Sequence, residues 1–146
     1  MQQLMTRSVQ HPSLRRYTFP KSEHLCLRKQ IETLFGSGST SRSAFPLRAV
    51  WRLVDAAGGE VPALMMVSVS KRRLRHAVSR NRVKRCVREA YRLNKHLLSP
   101  CVPEGKQLHI AFLWMADGMA SSARIRAQVV RLLQLVAETL QAAARP

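Results

Sequence analysis

The 146-residue sequence predicts a small α+β domain, a sheet packed against helices in the order helix, strand, strand, helix, strand, helix. Three observations predict it. Apolar residues recur at helical spacing near both ends and in one basic segment mid-chain. They alternate, or run on continuously, in three shorter stretches. Clusters of Gly, Pro and Ser separate these segments. With 46% apolar residues, the chain has the composition of a globular protein with a real core.

Residues 1–18 read as a basic, flexible tail, 19–141 as a single domain and 142–146 as a short C-terminal tail. From Ser22 to Phe35, Leu27, Ile31, Leu34 and Phe35 keep helical spacing until "GSGSTSRS" stops the pattern. "FPLRAVWRLVD" alternates as a strand over Leu47 to Asp55, "AAGGEVP" supplies a turn, and "ALMMVSVS" (Ala63 to Ser70) reads as the second strand of the same hairpin. A helix follows over Val78 to Leu98, and "SPCVPEG" breaks the chain. "KQLHIAFLW" (Lys106 to Trp114) is a third, mostly buried strand. Ile125, Val129, Leu132, Leu133, Val136 and Leu140 form the stripe of a last helix, capped by Ser121 or Ser122. This reading sets the sheet on one side and the helices on the other.

The formal net charge is +17 and the pI about 11.6, a self-repulsion that makes sense when a polyanion neutralises it. Nucleic acid leads, with an anionic membrane surface second. No run reaches the ~18 apolar residues of a membrane span, and no secretory h-region is present. Cys26, Cys86 and Cys101 form no CxxC pair and share no ligand spacing with the five His, which points to reduced thiols in the cytoplasm and no metal site. Eight acids, among them Asp55, Glu60, Glu89, Glu104, Asp117 and Glu138, make no constellation for catalysis, so no catalytic residue is expected.

Eleven of the 25 Lys and Arg lie between Lys71 and Lys95, with Glu89 as the one acid among them. A merely solvated helix face mixes signs for i,i+4 support, and this segment does not. At 100° per residue, Val83, Cys86, Val87, Ala90, Leu93 and Leu97 fall in an arc of roughly 120° that would face the sheet. Arg80, Asn81, Lys84, Arg85, Arg88, Tyr91, Arg92 and Lys95 fill an arc of about 140° beside it, with Arg82 off the stripe. The preceding loop adds Lys71, Arg72, Arg73, Arg75 and His76. Guanidinium forks bind phosphates bidentately and stack on bases, so the cluster reads as a phosphate-tracking surface. On these grounds a ribosomal-protein-like structural RNA binder fits as well as an RNA-processing subunit, and a helix-turn-helix fits less well because the basic helix follows a strand.

The stretch "SVSKRRLRHAVSRNRVKRCVREAYR" (Ser68 to Arg92) resembles the signature of the bacterial ribonuclease P protein component. The match falls at Ser70, Lys71, Ala77, Val78, Arg80, Asn81, Arg82, Lys84, Arg85, Arg88, Glu89, Tyr91 and Arg92, and the wider order agrees over about residues 17–141. The resemblance implies a left-handed β-α-β crossover, as in the ribosomal protein S5 domain 2-like fold. It also implies the protein subunit of a ribonucleoprotein that removes 5′ leaders from precursor tRNA, in which the RNA hydrolyses the phosphodiester with Mg²⁺ bound mainly by RNA. Partners are then the catalytic RNA, in a 1:1 heterodimer, and precursor tRNA. Catalytic-RNA contacts are expected at Lys71, Arg72, Arg73, Arg80, Asn81, Arg82, Lys84, Arg85, Arg88 and Arg92. Leader contacts are expected at Phe19, Ile31, Phe35, Trp51 and Tyr91, in a cleft between the first helix and the sheet, with one face of the protein seeing both RNAs. Ile31 stands where the family usually carries an aromatic.

Overall fold

The computed structural model describes residues 18–56 and 61–144; apart from Thr18, the expected N-terminal tail lies outside that range, as do part of the "AAGGEVP" turn and the last two residues. The elements are α1 (Arg28–Leu34), β1 (Thr40–Ala44), β2 (Leu47–Asp55), β3 (Ala63–Ser68), α2 (Ala77–Asn94), β4 (Lys106–Trp114) and α3 (Ser122–Ala144). One four-stranded sheet runs β1-β2-β4-β3, with β3 and β4 parallel and the other pairs antiparallel.

The expected hairpin between "FPLRAVWRLVD" and "ALMMVSVS", which are β2 and β3, does not form, because β4 enters between them. Its sequence explains why: from Leu108 to Phe112 every residue is buried, and only a central strand covered on both faces tolerates such a run. The partner that β2 does turn back onto is β1, which the sequence hides. "TSRSA" is polar and mostly exposed, as suits a short edge strand, and so it reads as loop. A two-residue link with a cis Phe45–Pro46 bond joins β1 to β2.

Helices cover both faces rather than one. Leu47, Ala49 and Trp51 of β2, Met65 and Val67 of β3, and Leu108, Ile110, Phe112 and Trp114 of β4 face the main core, where α2 and α3 pack. On the other face, Leu34 of α1 joins Leu64, Ala111 and the half-buried Val50, Met66 and Leu113. α1 begins at Arg28, not Ser22. The residues before it form a 3-10 turn (Lys21–Glu23) and then run along the outer edge of β3, where the Leu25 N–H donates to Met65 O at 2.9 Å. That edge would otherwise stay unpaired. α2 gives way to a 3-10 turn at Lys95–Leu97, and α3 continues past the expected end at 141 to Ala144. Ser121 caps α3 by accepting from Arg124 N at 3.1 Å.

The crossover from β3 through α2 to β4 is left-handed. Viewed from the α2 side with β4 pointing up, an L-residue whose side chain faces the viewer carries its N–H and C=O on the right. Leu108 faces the viewer, and its N–H donates to Pro62 O at 2.8 Å, at the foot of β3. So β3 lies to the right of β4, and the chain moves leftward with its helix in front. Met65 agrees, since its C=O points right to Leu25, away from β4. Some 98% of such connections are right-handed, which makes this topology a specific marker.

Trp51, only 2% exposed, lies in the main core on the far side of the sheet from α1. Trp51→Ala is expected to cost about 3–5 kcal/mol in urea unfolding, whereas Arg48→Ala, three residues back on the exposed side of the same strand, should change stability by no more than ~0.5 kcal/mol.

Candidate nucleic-acid interface

α2 is seated by Val83, Val87, Ala90 and Tyr91, an arc turned about 50° from the one that its apolar spacing predicts. The turn exposes Leu93, leaves Cys86 half-buried against α3 with its Sγ 3.4 Å from Ser122 Oγ, and takes Tyr91 and Lys95 into the interior. The stripe that remains is Asn81, Lys84, Arg85, Arg88 and Arg92, with Arg82 exposed beside it. Lys71 and Arg72 are exposed on the loop before the helix, which the buried Leu74 anchors.

Within this set the side chains do different work. Arg80 Nη1 donates to both Leu74 O and Arg75 O at 2.9 Å, so it braces the loop against the first turn of α2 instead of reaching outward. Arg73 pairs with Asp117 at 2.9 Å and Arg92 with Glu89 at 2.6 Å. The Arg92 hydrogen bond, with burial opposing it, holds the Glu89 carboxyl below its ordinary range. Asn81, Arg85, Arg88, Glu89 and Arg92 line an open cleft of ≈ 320 Å³ whose remaining wall is Phe19.

The five expected leader residues separate. Ile31 lies on α1 and Phe35 caps its C-terminal end; Phe35, at 46% exposed, stands clear of the apolar stripe that its spacing suggested. Trp51 is sealed in the main core and offers no surface to a groove on the α1 side. Tyr91 is 1% exposed, edge-on to Phe112 with ring centres 6.4 Å apart. Burial, reinforced by the Glu23 carboxylate, pushes its phenol well above the ordinary range. Phe19 sits over α2, stacked on His24 at 4.1 Å and edge-on to Tyr91 at 5.4 Å. The cationic stripe of α2 and the surface beside α1 thus lie on opposite faces of the sheet, not on one shared face.

What the sequence reading missed is the other half of β2's alternation. Because Leu47, Ala49 and Trp51 point into the core, Arg48, Val50 and Arg52 point to the α1 side. Arg48 Nη2 donates to Ser41 Oγ at 3.0 Å and Arg52 Nη1 to Ser37 O at 2.6 Å. Gly38 makes the second contact feasible: its φ is +97°, and a Cβ there would come within 3.0 Å of Arg52 Nη1. α1 is only seven residues long and leaves Arg48, Met66, Ser68 and Leu113 wholly or partly open. The face therefore offers an apolar floor with two arginines along one strand.

A family model described as Ribonuclease P matches residues 19–137. The chain belongs to the ribonuclease P protein family. It is 52% identical over 102 residues to the ribonuclease P protein component of Porphyromonas gingivalis, covering 66% of this chain and 70% of that one. With the component of Chlorobaculum tepidum it shares 33% over 124 residues, covering 79% and 80%. The fold matches the solved ribonuclease P proteins of Thermotoga maritima (TM-score 0.58, 22% identity, 77% of this chain and 96% of that one) and Staphylococcus aureus (TM-score 0.58, 18% identity, 80% and 96%). The chain is thus an RNA-binding accessory subunit of the endoribonuclease that trims 5′ leaders from precursor tRNA, and it associates with ribonuclease P RNA and precursor tRNA.

Arg80→Ala should lower stability by about 1–2 kcal/mol, since two loop carbonyls lose a charged donor. Arg82→Ala and Arg85→Ala, both at exposed positions, should leave the urea midpoint unchanged. Equal midpoints for all three variants would mean that Arg80 does not brace the loop.

Proposed function

We propose that the α2 stripe and its loop (Lys71, Arg72, Arg73, Asn81, Arg82, Lys84, Arg85, Arg88 and Arg92) bind the catalytic RNA, while the α1 groove holds the single-stranded leader. The observation that carries this is the division of labour between faces: cations with an amide on a convex helix, and an arginine-flanked apolar floor on the sheet, with the exposed Phe35 at the end of α1 on that side. The first suits a folded RNA backbone; the second suits an unpaired strand whose bases meet apolar surface while its phosphates meet cations. Ile31, Phe35, Val50, Arg48 and Arg52 make up the leader groove in this reading; Trp51 lies beneath it in the main core, and Tyr91 belongs to the seat of α2. Arg80 acts through the loop that it holds.

Chemistry is assigned to the RNA. Asp55, Asp117, Glu23, Glu32 and Glu89 are each committed to an ion pair with Lys106, Arg73, Lys95, Arg28 and Arg92. Among the described residues no group of three His, Cys, Asp or Glu is placed to hold a metal. Mg²⁺ belongs in this reading to the RNA, one protein binds one RNA, and the assembly works in the cytoplasm. No helix among the described residues is long and apolar enough to cross a membrane.

At low Mg²⁺, adding the protein to the catalytic RNA of its own source should restore 5′ processing of precursor tRNA; no gain over RNA alone would contradict the reading. If roughly six phosphates are contacted, log Kd for the catalytic RNA should change with log salt at a slope of magnitude about 4–5, and a flat response would remove the electrostatic basis. Phe35→Ala should weaken binding of leader-bearing precursor by about 1–3 kcal/mol while mature tRNA binding stays as it was. Equal losses for both RNAs would place Phe35 outside the leader site.

A further inference from the structure

Glu23 and Lys95 form an ion pair that is buried at both ends, with side chains 5% and 4% exposed and Oε1 2.6 Å from Nζ. The two residues are 72 apart in sequence. Lys95 Nζ also donates to the carbonyl oxygen of Thr18, so a single ammonium holds both ends of the segment that carries Phe19. Within that segment Phe19 stacks on His24, whose Nε2 lies 3.4 Å from Phe19 O, and the ring meets the edge of Tyr91. The outcome is that Phe19 stands as one wall of the cleft floored by Asn81, Arg85, Arg88 and Arg92.

Stability alone does not account for such a pair. Removing two charges from water costs about as much as their attraction returns, and well-packed apolar residues often hold a fold as firmly. Direction is what the pair adds: an ammonium has several donors to aim at defined oxygens, and here two of them fix the register of one short segment across the end of α2. The hydrogen bond from Leu25 N to Met65 O lies beyond Glu23 and leaves the place of Phe19 to the Lys95 contacts and to the ring's own packing on Tyr91.

We infer that the buried Glu23–Lys95 pair is a positioning device for the catalytic-RNA side of the interface, holding Phe19 as a wall of the Asn81–Arg85–Arg88–Arg92 cleft so that the cleft is formed before RNA arrives. The inference rests on the assignment of the α2 stripe to the catalytic RNA. Glu23 and Lys95 touch no RNA themselves; they act through Phe19. The occupant is a nucleotide of the catalytic RNA, with its phosphate against the arginines and its sugar or base edge within reach of the Asn81 amide. A cleft formed in advance avoids the cost of ordering the segment at the moment of binding.

The test uses the full-length protein with its own catalytic RNA, comparing wild type, Lys95→Arg and the double variant Glu23→Leu with Lys95→Met. The double variant removes the pair without leaving a lone buried charge, and thermal unfolding checks that it folds. The expected result is a melting temperature near or above wild type together with about tenfold weaker binding of the catalytic RNA, the scale of one lost charge-assisted contact. Lys95→Arg, which keeps the charge and the donors, should stay close to wild type. At saturating protein, discrimination between precursor and mature tRNA should be unchanged, because the leader groove lies on the other face. A folded double variant that binds like wild type would overturn the inference and leave the assignment of the stripe standing. Loss of leader discrimination in place of RNA affinity would overturn it as well. Failure of the wild-type protein to bind this RNA would instead overturn the assignment on which the inference rests.

Discussion

β4 pairs with β2 on one side and with β3 on the other, and this double pairing sets the position of every functional surface. Its unbroken buried run of Leu108 to Phe112 demands cover on both faces along its length, so it takes an inner place in the sheet and separates two strands that are neighbours in sequence. Parallel pairing with β3 then requires a crossover, and α2 is that crossover. Because the connection is left-handed, α2 packs above β3 with its cationic side turned away from α3. There it meets the N-terminal segment that closes the edge of β3. α1 lies under β2 and β4 on the opposite face, with its groove beside the arginines of β2.

A chain with 25 cations and eight acids has few countercharges to place, and they are placed deliberately. Arg73 meets Asp117 at the rim of the loop, and Glu89 meets Arg92 on the flank of the stripe. These exposed pairs contribute little to stability individually. Their effect is to trim the field at the edges of the basic surface, leaving Lys71, Arg72, Lys84, Arg85 and Arg88 as its centre. The apolar seam of Val83, Val87, Ala90 and Tyr91 holds these cations together against their mutual repulsion. A bound polyanion relieves that repulsion, so the free protein is built in a state that RNA stabilises.

Much of this was legible in the sequence. The central strand, the last helix with its Ser121 cap and the basic helix all follow from periodicity, and the spaced pattern around Arg80, Asn81 and Arg82 points to the family directly. Strand order was not legible, because pairing depends on which strand needs two covered faces, a property of the assembled sheet. β1 escaped because an edge strand selects polar residues that look like loop. Tyr91 and Lys95 were read as surface because a helix buries whichever arc its neighbours cover. A 50° turn is enough to exchange the border residues. Trp51 is a different kind of miss. Its parity with Leu47 and Ala49 already placed it in the core, and the same alternation placed Arg48 and Arg52 on the open face.

The claim that two faces serve two RNAs can be tested by tethered hydroxyl-radical cleavage in the complete complex with precursor tRNA. On a Cys26→Ser background, which removes the exposed native thiol, a probe is attached through Val78→Cys on the 79%-exposed first turn of α2, or through Ser43→Cys opposite Arg48 on β1. The account predicts that the Val78 probe cuts the catalytic RNA and spares the leader, and that the Ser43 probe cuts the leader. Cleavage of the same RNA segment from both positions would contradict it.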